Sequence, residues 1–67
     1  MKLSARNRLH GTIKDIVKGA TTSHVQIDVG GAIVTASITN EAVDDLVLKI
    51  GDDAFAVIKA SDVMVAK

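Results

Sequence analysis

The chain contains no cysteine, proline, tryptophan or tyrosine, and Phe55 is its only large aromatic residue. Without cysteine there is no disulfide framework and no thiolate zinc site, and the redox compartment cannot be read. His10 and His24 are the only imidazoles, and no third ligand clusters with them. A lone Phe gives no platform for stacking bases. Eight basic residues balance eight acidic ones, so the basic excess expected of a nucleic-acid groove or a binder of acidic membranes is missing. No apolar run approaches the roughly 20 residues of a membrane span. Met1-Lys2-Leu3-Ser4 lacks the apolar centre of a signal peptide. These absences set the expectation of a cytoplasmic location, with no nucleic acid and no membrane as partner. No nucleophile–base pair, metal-ligand spacing or phosphate-binding glycine loop is present, and Gly30-Gly31 is too short to cradle a phosphate. A non-enzyme is expected.

What is present is aliphatic. Hydrophobic residues make up 48% of the 67 positions, nearly all of them Val, Ile, Leu and Ala. A domain this short hides only about 60% of the surface its unfolded chain exposes. Small domains compensate with disulfides, a structural metal or oligomerisation, and here the last remains. Part of each apolar face is expected to be buried against other copies.

The chain reads as one domain over residues 1–67, without linker or repeat. Arg6 to Val17 is β-prone, with Leu9, Ile13 and Val17 on one side. Ile16 breaks the alternation and Gly11 interrupts the run, which predicts a bulge or bend. Lys18 to Thr22 reads as a loop. Val25, Ile27 and Val29 alternate with His24, Gln26 and Asp28, the period of a half-buried strand. Gly30-Gly31 signals a hairpin, and a third strand runs from Ala32 to Ile38. Val43, Leu46, Val47 and Ile50 then take helical spacing, with Thr39 or Asn40 as cap and Gly51 as stop. Ala54 to Lys59 is a fourth strand, Ser61-Asp62 a corner and Val63 to Ala66 a short fifth strand. The expected fold is all-β: an OB-fold-like barrel of five strands with one short helix between strands 3 and 4. Phe55 is expected in the core, the two histidines at the surface, and Asp44-Asp45 and Asp52-Asp53 as solvated acids.

Two polar runs stand out: Ser4-Ala5-Arg6-Asn7 near the start and Lys59-Ala60-Ser61 near the end. Hydroxyl, guanidinium, ammonium and amide groups all donate hydrogen bonds to anions. Two such runs in so small a domain suggest a pocket for something negative, without naming it.

Ser4-Ala5-Arg6-Asn7, Gly11-Thr12-Ile13, Ser37-Ile38-Thr39 and Ile58-Lys59-Ala60-Ser61-Asp62-Val63 together resemble the molbindin (Mop) family, a single TOBE/Mop-type module, over the whole chain. The resemblance implies strand-exchanged dimers, three of which form a homohexamer, with molybdate or tungstate bound intact for storage or homeostasis. It implies a site between subunits where Ser4 and Arg6 of one chain face Thr39, Lys59 and Ala60 of another. Ser61 and Asn7 would support that pocket. A second site on the threefold axis would use loop backbone, with Gly19, Ala20, Thr21 and Thr22 as its candidates. No catalytic cofactor and no directly ligated metal are implied, because the oxo groups already saturate the ion.

Simpler readings stand beside this one. Ser4 to Asn7 fits a frayed terminus, Lys59 an edge-strand gatekeeper and Thr39 a plain helix cap. As whole-chain alternatives, an OB-fold nucleic-acid-binding domain and a purely structural oligomerisation module both fit the predicted strands.

Overall fold

A computed structural model describes residues 2–67; Met1, the first residue of the expected domain, lies outside the described residues. The elements are β1 (Asn7–Lys18), β2 (Thr22–Asp28), β3 (Ile33–Thr39), α1 (Asn40–Asp45) and β4 (Asp53–Ile58), followed by a 3-10 turn at Ala60–Asp62. The four strands form one antiparallel sheet in the order β3-β2-β1-β4. It curls into a half-barrel around Ile13, Val25, Ile27, Val43 and Ala56.

β1 organises this sheet. Its first half pairs with β4, from Asn7↔Ile58 to Thr12↔Asp53. Its second half pairs with β2, from Thr12↔Asp28 to Lys18↔Ser23. The register of β1 with β2 slips between Ile13 and Asp15. Asp15 Oδ1 accepts from the Ile16 N–H at 2.9 Å there. The broken alternation at Ile16 is this bulge. Ile13 is 1% exposed and Ile16 takes over the inward role. Val17, expected on the side of Leu9 and Ile13, is instead turned out and 59% exposed, because the extra residue reverses the alternation beyond it. Gly11 lies where β1 passes tightly against β2: a Cβ there would sit 2.4 Å from the Asp28 carbonyl oxygen.

Val25 and Ile27 of β2, and Val34, Ala36 and Ile38 of β3, face inward as their alternation predicts. Gly30 and Gly31 turn between these strands with φ of 88° and 90°, values a side chain disfavours.

Two elements differ from expectation. The helix does not run on to Gly51. It ends at Leu46, because Val47 adopts φ 52°. Val47 N–H then donates to Asp44 O and Leu48 N–H to Val43 O, the pair of bonds of a Schellman end. This reversal returns Leu48 to the core and leaves Leu46, Val47 and Ile50 exposed. The second difference is the fifth strand. Val63 to Ala66 pair with no strand among the described residues, and Met64 and Val65 are 94% and 93% exposed. A strand needs a partner for its backbone groups, and the 3-10 turn carries this segment away from the sheet. The described residues therefore form four strands. An open apolar trough of about 770 Å³, lined by residues of both edge strands such as Val34, Ala36, Ile38, Ala54 and Ala56, lies where a closed barrel would be filled.

Candidate functional site

The two donor runs meet in this chain. β1 begins at Asn7 opposite Ile58, where β4 ends, so the same antiparallel count sets Arg6 opposite Lys59 just beyond the ladder. Asn7 Nδ2 donates to Ile58 O at 3.2 Å and ties the two segments. Ala5 is 7% exposed, so the N-terminal run is anchored rather than frayed. Ser4 and Arg6 on either side of Ala5, and Lys59, Ala60 and Ser61 opposite, are exposed. The chain turns at once after β4, with Asp62 N–H donating to Lys59 O at 2.9 Å. The first N–H groups of such a turn have no acceptor within it.

Among the described residues the ion pairs are His10–Asp53 at 3.7 Å and Lys18–Asp44 at 3.1 Å, and neither involves Arg6 or Lys59. Arg6 and Lys59 thus follow directly from the last pair of the ladder, with the hydroxyls of Ser4 and Ser61 each three residues from it. This can hold an anion through charge-assisted hydrogen bonds.

Thr39 is elsewhere. It ends β3 opposite Thr22, beside the finish of β1, whereas Lys59 lies beside its start and on the other edge strand. One chain does not bring Thr39 to the two donor runs. Its Oγ1 accepts from Ala42 N–H at 3.0 Å as the helix cap, which leaves the hydroxyl proton available for donation.

The loop of Gly19, Ala20, Thr21 and Thr22 lies next to Thr39 and is exposed. Gly19 N–H donates to Thr22 O at 2.7 Å. Asn40 holds the rest: Nδ2 donates to Gly19 O at 3.0 Å and Ala20 O at 3.4 Å, and its N–H to Thr21 O at 2.9 Å. Its Oδ1 accepts from the fully buried Ser23 hydroxyl. Sequence reasoning placed Asn40 only as an alternative cap and missed this clamp. An Asn just after a strand and facing a Gly-containing loop was the available signal.

The remaining candidates sort simply. His24 is exposed. Phe55, expected in the core, is 52% exposed and packs on the His10 ring at 5.2 Å, because the inward positions of β4 fall to Ala54, Ala56 and Ile58. Among the described residues no group of His, Asp or Glu could hold a metal ion, and no helix is long and apolar enough to cross a membrane.

The TOBE domain family model matches residues 3–65. The chain is 42% identical over 66 residues to the probable molybdenum-pterin-binding protein of Haemophilus influenzae, covering 97% of this chain and 96% of that one. It is 51% identical over 65 residues to the molybdenum transport protein ModE of Herbaspirillum seropedicae, covering 96% of this chain but 24% of that protein. The structure of a molybdate-binding protein from Sporomusa ovata matches with a TM-score of 0.95 at 42% identity, over 100% of both chains. With the donor runs, the curled sheet and the sequence match coinciding along nearly its whole length, the chain belongs to the TOBE domain family.

Proposed function

We propose that this protein binds molybdate or tungstate as the intact tetrahedral dianion and holds it in reserve, without catalysing a reaction. The observation that carries this reading is the meeting of Ser4 and Arg6 with Lys59, Ala60 and Ser61 at one end of the β1–β4 ladder, with both cations outside any ion pair among the described residues. The relatives' names supply the identity of the anion.

The chemistry is that of an oxyanion whose metal is already saturated by oxo groups. It needs donors rather than ligands, so the lack of cysteine is no obstacle. Lys59 and Arg6 supply attraction, the hydroxyls and N–H groups supply geometry, and a dry setting strengthens each bond. Thr39 belongs to the same pocket in this reading. Because it lies at the far end of β1, a second copy contributes it, and the site is a seam between chains. The exposed segment Val63 to Ala66 would cross that seam and become the fifth strand of its neighbour, closing the open trough. Three such dimers would form the hexamer. Burying Met64 and Val65 in this way offsets the small core of a 67-residue chain.

Elemental analysis of the purified assembly, with calorimetric titration against molybdate, tungstate and sulfate, tests the reading. Molybdate or tungstate is expected to bind and sulfate to bind far more weakly. Loss of one charge-assisted hydrogen bond, at about 1.5–3 kcal/mol, predicts that Lys59→Ala weakens binding by roughly 10–150-fold. Flat titrations with all three anions would leave only a structural oligomerisation module.

A further inference from the structure

We infer that Asp62 sets the charge selectivity of the proposed oxyanion site: its carboxylate opposes the bound anion, a dianion more than a monoanion, and so limits how tightly the cargo is held. The inference rests on the oxyanion-binding reading above. Charge is unevenly distributed along the chain. Residues 1–14 and 54–67 supply both donor runs and the β1–β4 ladder that joins them. They hold Lys2, Arg6, Arg8, Lys14, Lys59 and Lys67, six of the eight basic residues, but only one of the eight acidic ones, Asp62. A surface built only for tight capture of an anion has no use for a carboxylate. This one follows directly on Lys59, Ala60 and Ser61, three of the proposed contacts.

The turn holds Asp62 in place. Its N–H donates to Lys59 O at 2.9 Å, and Val63 N–H donates to Ala60 O at 3.3 Å. A single carbon separates an aspartate's backbone from its carboxylate, so the charge stays beside the turn in every rotamer. Asp62 is in neither of the ion pairs among the described residues, and it is exposed, so water screens it in the single chain. In the proposed seam that water leaves, and the repulsion between Asp62 and a bound anion strengthens. The energy follows the product of the two charges, so a dianion feels twice the repulsion of a monoanion of the same shape. At a separation of about 8 Å and an effective dielectric constant of about 40–80, removing the carboxylate tightens monoanion binding roughly 2–6-fold. The gain for a dianion is the square of that, roughly 6–30-fold. A protein that holds an anion in reserve must also release it, and the carboxylate keeps the attraction of Arg6 and Lys59 from becoming permanent capture.

The test is calorimetric titration of the assembled protein with sodium tungstate and, in competition with it, sodium perrhenate, a tetrahedral tetra-oxo monoanion. Parent, Asp62→Asn and Asp62→Ala are compared at about 0.05 M and about 0.5 M sodium chloride. Both variants are expected to bind tungstate roughly 6–30-fold more tightly at the lower salt, to raise the preference for tungstate over perrhenate, and to lose most of the gain at the higher salt. Asp53→Asn is the control for net charge. Six residues of extended strand place Asp53 about 20 Å from Lys59, and its substitution is expected to leave tungstate affinity near the parent's. Asp62 variants that bind tungstate no more tightly than the parent would overturn the inference. A gain equal for both anions, or matched by Asp53→Asn, would overturn it as well. A gain confined to Asp62→Asn would belong to the new amide donor and not to the lost charge, with the same consequence. A parent that binds neither anion would remove the underlying reading, an outcome seen without any variant and so distinct from the others.

Discussion

Replacing Gly11 with alanine tests the central geometric feature of this fold, the passage of β1 from one partner strand to the other. The backbone at Gly11 does not have the positive φ of Gly30, Gly31 and Gly51, so the objection to a side chain is purely one of space. A methyl would lie 2.4 Å from Asp28 O, 2.8 Å from Ile27 Cγ2 and 3.0 Å from Asp28 C. A comfortable C···O approach is about 3.3 Å, so β2 must retreat by roughly 0.9 Å. The obstacle is backbone, held by the ladder on both sides, and cannot swing aside like a side-chain tip. Overpacking of this kind costs about 1–3 kcal/mol, offset by roughly 0.4–1 kcal/mol from the stiffer unfolded chain. The net of roughly 1–2 kcal/mol is a large part of the total of about 3–10 kcal/mol expected for a domain of this length. Thermal unfolding at fixed protein concentration is expected to show a Tm lower by roughly 5–15 °C. Gly30→Ala is the companion, with nothing within 4 Å to strike but a φ of 88° costing about 1–2 kcal/mol. A Gly11→Ala protein as stable as the parent would refute the close approach.

Other perturbations have equally definite outcomes. Val47 is a β-branched residue held at φ 52°, so Val47→Gly is expected to stabilise the isolated fold by about 1 kcal/mol, read from urea unfolding. Deleting residues 63–67 leaves the core residues in place. On the strand-exchange proposal it is expected to lower the mass measured by light scattering to that of single chains, and an unchanged assembly would refute the exchange. Arg6→Ala is expected to weaken molybdate binding and reduce its salt dependence, since an exposed cation acts through screened attraction; titrations at two ionic strengths check this.

β2 was legible from the alternation of Val25, Ile27 and Val29 with polar residues, β4 as a short apolar run between turn residues, and the Gly30-Gly31 turn because glycine accepts its positive φ without strain. The bulge was legible as a break at Ile16, but its consequence for Val17 was not, because the reversal depends on which residue is left unpaired. The helix end was hidden because a Val occupies the position where glycine is usual. Val63 to Ala66 have the residues of a strand, but pairing also needs a free edge, and among the described residues none is paired with them. Phe55 faces outward because its neighbours Ala54 and Ala56 hold the inward positions, which apolar character alone does not reveal.

By itself the sequence determined the types of group available and their order: two donor runs, no thiol, no aromatic platform, and enough alternating aliphatics for a sheet. Tertiary structure alone decided that the runs converge, because the antiparallel register from Asn7↔Ile58 joins segments 51 positions apart. It alone decided that Thr39 lies at the other end, and that one asparagine holds three loop carbonyls, two through its side-chain amide and one through its backbone N–H. The physical reason is that donor chemistry belongs to individual side chains, whereas the direction and meeting of donors are set by hydrogen bonds between residues distant along the chain.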